Sequence, residues 1–204
     1  IKVVNPQDEI TVLVRQNNRQ DNEVYLQQPT FIEGNRLRYQ NQRALIFEAG
    51  NEYRHFDINS VYIMGYNVDY IHFDRTFYHA FLYADPLKEF EPYLSEADNN
   101  GQFRIHAERT DISDIEADYM WVHFFLPCEK EISGARLFIG GDLCQNSFTQ
   151  RNMLTYDKEH KTYTASLYLK QGGYDYQYWL LKQGEKVASV LTDRKSTRLN
   201  SSHT

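Results

Sequence analysis

Between Leu167 and Leu180 (LYLKQGGYDYQYWL) apolar and polar positions alternate with a period of two on both sides of a Gly-Gly pair. Leu167 and Leu169 alternate with Tyr168 and Lys170. After Gly172-Gly173, Tyr174, Tyr176 and Tyr178 alternate with Asp175 and Gln177. Successive side chains of a strand point to opposite faces, so the pattern predicts two half-buried strands joined as a β-hairpin at the glycines. The segment holds no nucleophile, metal-ligand set or phosphate loop. It predicts a scaffold or a binding surface rather than a reaction centre.

The same reading predicts strands at residues 10–14, 23–26, 37–39, 43–48, 60–64, 68–73, 77–83 and 102–107. Further strands are expected at 119–126, 137–142, 152–157, 163–169 and 174–181. Residues 53–57 read as a connection. Asp98-Asn99-Asn100-Gly101 reads as a hairpin turn, because Asn-Gly tolerates positive φ. The only helix candidate, 86–98, is short and interrupted by proline. Short strands between frequent turn signals predict an all-β fold of the sandwich type.

An acidic connector, Asp111, Asp114, Glu116 and Asp118, predicts a boundary between two such units. The expected organisation is a β-sandwich over 1–115 and an incomplete immunoglobulin-like early-set β-sandwich over 116–192. The chain is expected to be a fragment truncated at both ends. Residues 193–203 (DRKSTRLNSSH) read as a translated sequencing adapter, so 193–204 are expected to be a non-native, disordered tail.

With 22 basic and 28 acidic residues and a net charge of −6, the chain is poorly suited to nucleic acid, which demands clustered Lys and Arg. No run of 18 apolar residues is present, so no helix is expected to cross a membrane. Nor do the irregular acidic loops match the repeated ten-residue strands of an outer-membrane barrel. The 16 tyrosines suit half-buried strands, where the ring packs and the hydroxyl stays wet. Cys128 and Cys144 fit either one disulfide or two packed thiols, and two cysteines alone make no structural zinc site.

Three constellations bear on chemistry. Glu52 as a base supported by His55 and Asp57 lacks a second half; a buried turn, with Arg54 and Asp57 satisfying backbone or each other, is the preferred reading. Glu96, Asp98, Asn100 and Gly101 resemble half a calcium loop, but the closing acid would fall at Ala107, with Glu108 one residue late. The histidines at 55, 72, 79, 106, 123, 160 and 203 form no paired zinc motif, and His123 is expected to pack beside Trp121 and Phe125. No catalytic residue, cofactor or metal is expected, and the chain is read as a non-enzyme.

Five stretches carry a resemblance: Val4-Asn5-Pro6 leading into Val12 to Asn18; Ala49-Gly50-Asn51-Glu52-Tyr53-Arg54-His55-Phe56-Asp57; Asp98 to Gly101; Asp118-Tyr119 before Trp121-Val122-His123-Phe124; and Lys170-Gln171-Gly172 followed by Tyr174, Tyr176 and Tyr178. In order and spacing they resemble the plug proteins of the type 9 secretion system. The resemblance implies a periplasmic protein that caps the outer-membrane β-barrel translocon when it is not exporting cargo. It implies no nucleic acid, no membrane insertion, no small-molecule substrate, and a signal peptide in an N-terminal part before Ile1. Gly50, Asn51, Glu52, Arg54, Phe56, Asp57, Lys170, Gln171, Gly172, Tyr174, Tyr176 and Tyr178 would be structural in it. Loop tyrosines such as Tyr66 and Tyr93 are plausible anchors on the barrel.

The alternative is a glycan-binding β-sandwich module of the cell envelope. Gly141-Asp142 after a strand, with 174–179 later, resembles starch-type modules, which stack sugars on a Trp about four residues after the Asp. Here Asn146 stands in that place, and Trp179 falls where the strand should pack.

Overall fold

The computed structural model describes residues 5–34, 36–40, 42–47, 53–85 and 101–191. Contacts divide the chain into two compact units, Ile1–Gly50 and Asn51–Thr204. The first opens on a single helical turn, α1 (Pro6–Glu9), with proline where a helix has no use for its N–H. Two small antiparallel pairs follow: β1 (Val12–Val14) with β2 (Val24–Leu26), and β3 (Phe31–Glu33) with β4 (Arg36–Arg38). Asn17 and Asn18 carry the positive φ needed between β1 and β2, a conformation asparagine tolerates.

The second unit is an all-β sandwich. Its strands are β5 (Arg54–Asp57), β6 (Val68–Phe73), β7 (Tyr78–Leu82), β8 (Phe103–Ile105), β9 (Tyr119–Pro127), β10 (Ala135–Gly140), β11 (Thr155–Asp157), β12 (Thr162–Lys170), β13 (Gly172–Lys182) and β14 (Ser189–Val190). A one-turn helix, α2 (Ser113–Glu116), precedes β9. One sheet runs β11-β12-β9-β7-β6, with β7 and β9 parallel. The other is built on β13, which pairs with β5 and β8 through its first half and with β10 and β14 through its second.

Alternation decides which side chains meet between the sheets. Met120, Val122, Phe124 and Leu126 of β9 and Leu167 and Leu169 of β12 face Phe56, Leu137, Ile139 and the tyrosines of β13. Phe56 sits at the centre, its ring 5.4 Å from Tyr174, 5.5 Å from Phe124 and 5.6 Å from Tyr176. Each buried ring of this kind contributes about 1.5–3 kcal/mol. The opposite face of β13 carries a smaller cluster of Phe138, Trp179, Leu181 and Ala188.

Several expectations are corrected. The alternation around Gly172-Gly173 is real, but β12 and β13 do not form a hairpin: they lie in opposite sheets, and the chain crosses between them at Gln171. Both glycines belong to β13. A Cβ on Gly172 would fall 2.3 Å from the Arg104 carbonyl oxygen, so close strand approach explains that glycine, whereas one on Gly173 would meet side chains, Asp57 Oδ1 at 2.7 Å and the His55 ring at 3.3 Å.

The boundary near 115 is also corrected, because it would cut both sheets. β7 pairs with β9, and β5 and β8 pair with β13, so strands from before the acidic connector complete the sandwich. The expected connection at 53–57 is strand β5. Expected strand 43–48 opens instead on a 3₁₀ turn, Arg43–Leu45, and 60–64 is a bend with Val61 buried and Tyr62, Ile63 and Met64 exposed. The helix candidate at 86–98, residues 98–100 of the Asn-Gly turn and the tail at 193–204 lie outside the described residues.

Candidate functional site

Of the twelve residues that the resemblance makes structural, Gly50, Asn51 and Glu52 lie outside the described residues. The others gather where β5 meets β13. Arg54 and Phe56 face the inter-sheet core, and Arg54 Nη1 lies 2.8 Å from Asp85 Oδ1. The other Asp85 oxygen accepts the hydroxyls of Tyr176 and Tyr178. Burial first, then the Asp85 charge for Tyr176 and neighbouring Tyr176 followed by Asp85 for Tyr178, push both phenols well above their ordinary pKa. Gln171 is buried at the crossover: its Oε1 accepts the Asp118 N–H at 2.8 Å, and its Nε2 donates to the Asn59 carbonyl at 3.3 Å. Lys170 lies 5.8 Å over the Tyr119 ring.

On the other face of β5, His55 stands between two carboxylates. Nδ1 is 2.7 Å from Asp175 Oδ1, and Nε2 is 3.1 Å from Asp57 Oδ1. The structure therefore corrects the expected Arg54–Asp57 turn: on a strand the two point to opposite faces, Arg54 meets Asp85, and Asp57 meets His55, which Asp175 joins. Cys128 and Cys144 are free thiols, and burial pushes Cys144 up to about 12. Among the described residues, no three His, Cys, Asp or Glu side chains come together in a way that would hold a metal ion. A polar cleft of about 210 Å³ lies beside Asn59, Tyr62, Glu108, Arg109, Glu116 and Asp118, with the Arg109 guanidinium 4.3 Å over the Tyr62 ring.

The largest assembly lies on the outward face of the β11-β12-β9-β7-β6 sheet. Tyr70 of β6 stacks on Phe81 of β7 at 4.3 Å, and Phe81 stacks on His123 of β9 at 4.4 Å. Adjacent strands lie about 4.8 Å apart, so cross-strand rings in register meet face to face and present their edges to solvent. Beside this ladder Tyr168 of β12 lies 5.1 Å from Trp121 and 5.2 Å from Tyr119.

A hydrogen-bonded chain crosses the same face. His79 Nε2 lies 3.1 Å from Asp74 Oδ2, His79 Nδ1 lies 2.9 Å from His123 Nε2, and His123 Nδ1 lies 2.8 Å from Ser166 Oγ. With the Asp74 carboxylate at one end, each imidazole donates toward it and Ser166 donates to His123. Backbone N–H groups of Phe77 and Thr76 hold Asp74 down at about 2, and burial, with His79 adding, holds His123 down at about 4. The face is thus aromatic at its centre in an acidic chain. Spacing did not reveal it, because the parallel β7–β9 register that sets Phe81 beside His123 joins strands far apart in sequence.

The positions of the saccharide reading are both closed. Asn146 is buried, and Trp179 is fully buried with Phe148 at 5.4 Å.

No protein-family model matches the chain, and no curated protein matches it. Among solved structures, the crystal structure of a hypothetical protein from Parabacteroides merdae is similar, with a TM-score of 0.84 and 33% identity over 96% of this chain. The match covers 50% of that protein, so this chain spans half its length.

Proposed function

We propose that the chain belongs to a non-enzymatic periplasmic plug that caps the outer-membrane translocon barrel of the type 9 secretion system. The five stretches named from the sequence, those at Arg54 to Asp57 and Lys170 to Tyr178 among them, supply the family resemblance. The observation that carries a binding role is the outward sheet face: Tyr70, Tyr119 and Tyr168 are each nearly half exposed, and Phe81, Trp121, His123 and Phe125 fill the space among them. Protein interfaces favour such a composition, with charge depleted and aromatics enriched at the centre. A plug must bind firmly enough to close the barrel and weakly enough to be displaced. An interface burying about 1,600 Å² spans that range of affinities. Tyr66, exposed in the loop after β5, remains a second anchor in this reading, whereas Tyr93 lies outside the described residues.

The glycan-binding alternative has less support. Sugar stacking needs open ring faces, and those of Phe81 and His123 are taken up by neighbouring rings, while Trp179 is enclosed.

The test is co-purification. A tagged product of the intact gene is recovered from detergent-solubilised envelopes, and its partners are identified by mass spectrometry. A type 9 translocon barrel in stoichiometric amount is the expected result. A folded, periplasmic product that brings down no barrel overturns the reading.

A further inference from the structure

We infer that His55, clasped by Asp175 and Asp57, is a pH-responsive latch that clamps the junction of β5, β13 and β8 at low and neutral pH and loosens it as pH rises. Asp175 stands opposite His55 in the β5–β13 register, and its side chain is fully buried. One oxygen lies 2.7 Å from His55 Nδ1, and the other accepts the Gly101 N–H at 3.2 Å. The Asp175 backbone N–H donates to the Gln102 carbonyl, so both residues leading into β8 are tied to this one position.

The geometry sets the protonation state. A neutral imidazole has one donor nitrogen and one acceptor, so it can satisfy only one carboxylate and turns a lone pair toward the other. Both ring nitrogens of His55 face carboxyl oxygens, an arrangement that the doubly protonated ring completes when both carboxylates are ionised. The surroundings act in the same direction. From β13 comes Asp175, from its own strand Asp57, from the loop after β5 the Tyr66 ring at 6.1 Å, and from Gly173 only backbone. The hydrogen bond to Asp175, with Asp57 adding, raises the His55 pKa above its ordinary value even though burial opposes it.

The folded pKa is raised, so the stabilisation is fully present below the unfolded value of about 6.5 and is lost as pH climbs through the folded value. When the Nε2 proton leaves, Asp57 can regain water, since it is partly exposed, while buried Asp175 keeps the Nδ1–H bond but loses the positive charge of the ring. A buried carboxylate that loses a charged donor is strongly disfavoured, and local opening relieves it.

Hydrogen exchange of the full chain by mass spectrometry, at about pH 6 and about pH 8.5 with intrinsic rates corrected, reads the latch. Peptides over 53–58 and 101–106 should lose protection at the higher pH, by about tenfold for each pKa unit separating folded from unfolded His55, while 119–127 holds. In His55→Gln the step should vanish, and in Asp57→Asn its midpoint should move to lower pH. Protection independent of pH in the parent chain, an equal step in His55→Gln, or an unmoved midpoint in Asp57→Asn overturns the latch. NMR titration decides the matter if His55→Gln does not fold: a His55 ring that titrates at or below about 6.5 also overturns it.

Discussion

Tyr176 donates its hydroxyl to the carboxylate of Asp85, a contact between residues 91 positions apart inside the sandwich. Tyr178 donates to the same oxygen, and Arg54 holds the other while lying 5.5 Å over the Tyr178 ring. Two β13 phenols and one β5 guanidinium thus converge on one mostly buried carboxylate. Asp85→Ala should lower stability by about 3–5 kcal/mol, the range for removing one partner of a buried charge pair. Asp85→Asn should cost less, because the amide oxygen still accepts. Tyr176→Phe and Tyr178→Phe should each cost about 1–2 kcal/mol, and the double variant should depart from additivity because the two share an acceptor. Urea denaturation measures all five. A loss below about 1 kcal/mol for Asp85→Ala would show the network to be incidental.

Adjacent glycines should respond very differently to alanine. At Gly172 the added methyl meets the Arg104 carbonyl at 2.3 Å, which is backbone held in the β8–β13 ladder. At Gly173 it meets Asp57 Oδ1 at 2.7 Å, the end of a partly exposed side chain that can turn away. Gly140 is tighter still, with a Cβ only 2.1 Å from the buried Trp179 ring. Gly140→Ala and Gly172→Ala should therefore cost about 1–3 kcal/mol or more, and Gly173→Ala clearly less. Thermal melts of the three variants give the order. Equal losses at Gly172 and Gly173 would contradict the packing argument.

Those glycines also mark how far the sequence could be read. Period-two alternation identified β9, β12 and β13 nearly to the residue, although β13, expected to be half buried, is buried on both faces. It could not say which strands pair. A Gly-Gly pair between alternating runs has the same local signature whether it turns a hairpin or admits a neighbouring backbone, and only the partner strands distinguish the two cases. β5 was hidden for a related reason: Arg54, His55 and Asp57 look like loop residues until Asp85 and Asp175 arrive from distant segments to satisfy them. The chain from Asp74 through His79 and His123 to Ser166 joins four segments, so no local window contains it. Side-chain chemistry was legible where it lay along one strand and illegible where register assembled it.

His123 should make the fold sensitive to acid. Burial first, and His79 second, hold its pKa at about 4 in the folded chain, against about 6.5 when unfolded. Between these values the unfolded chain binds the extra proton. The contribution is therefore complete above about pH 6.5 and is lost as pH falls toward 4. His123→Gln keeps hydrogen-bonding groups near Ser166 and His79 but removes the titration. Its melting temperature should fall less steeply than the parent's between about pH 6.5 and 4, followed by circular dichroism. Parallel slopes would show that other groups carry the acid dependence.

The two tryptophans divide the molecule's outer and inner chemistry. Trp179 is fully buried, whereas Trp121 is half buried on the outward face beside Tyr168. Iodide should quench only Trp121, so Trp121→Phe should leave a protein whose fluorescence resists quenching. Saccharides should change neither signal. If the outward face meets the translocon barrel, Trp121→Ala and Tyr168→Ala should each weaken capture by about thirtyfold or more, as interface anchors do. Both side chains point away from the inter-sheet core, so the melting temperature should move little. Glu129, paired at 2.7 Å with Lys161 by an exposed contact near the end of β9, provides a control that should leave capture unchanged. Barrel capture that survives both aromatic truncations would move the contact to another surface of the sandwich, with the exposed loop around Tyr66 the first place to look.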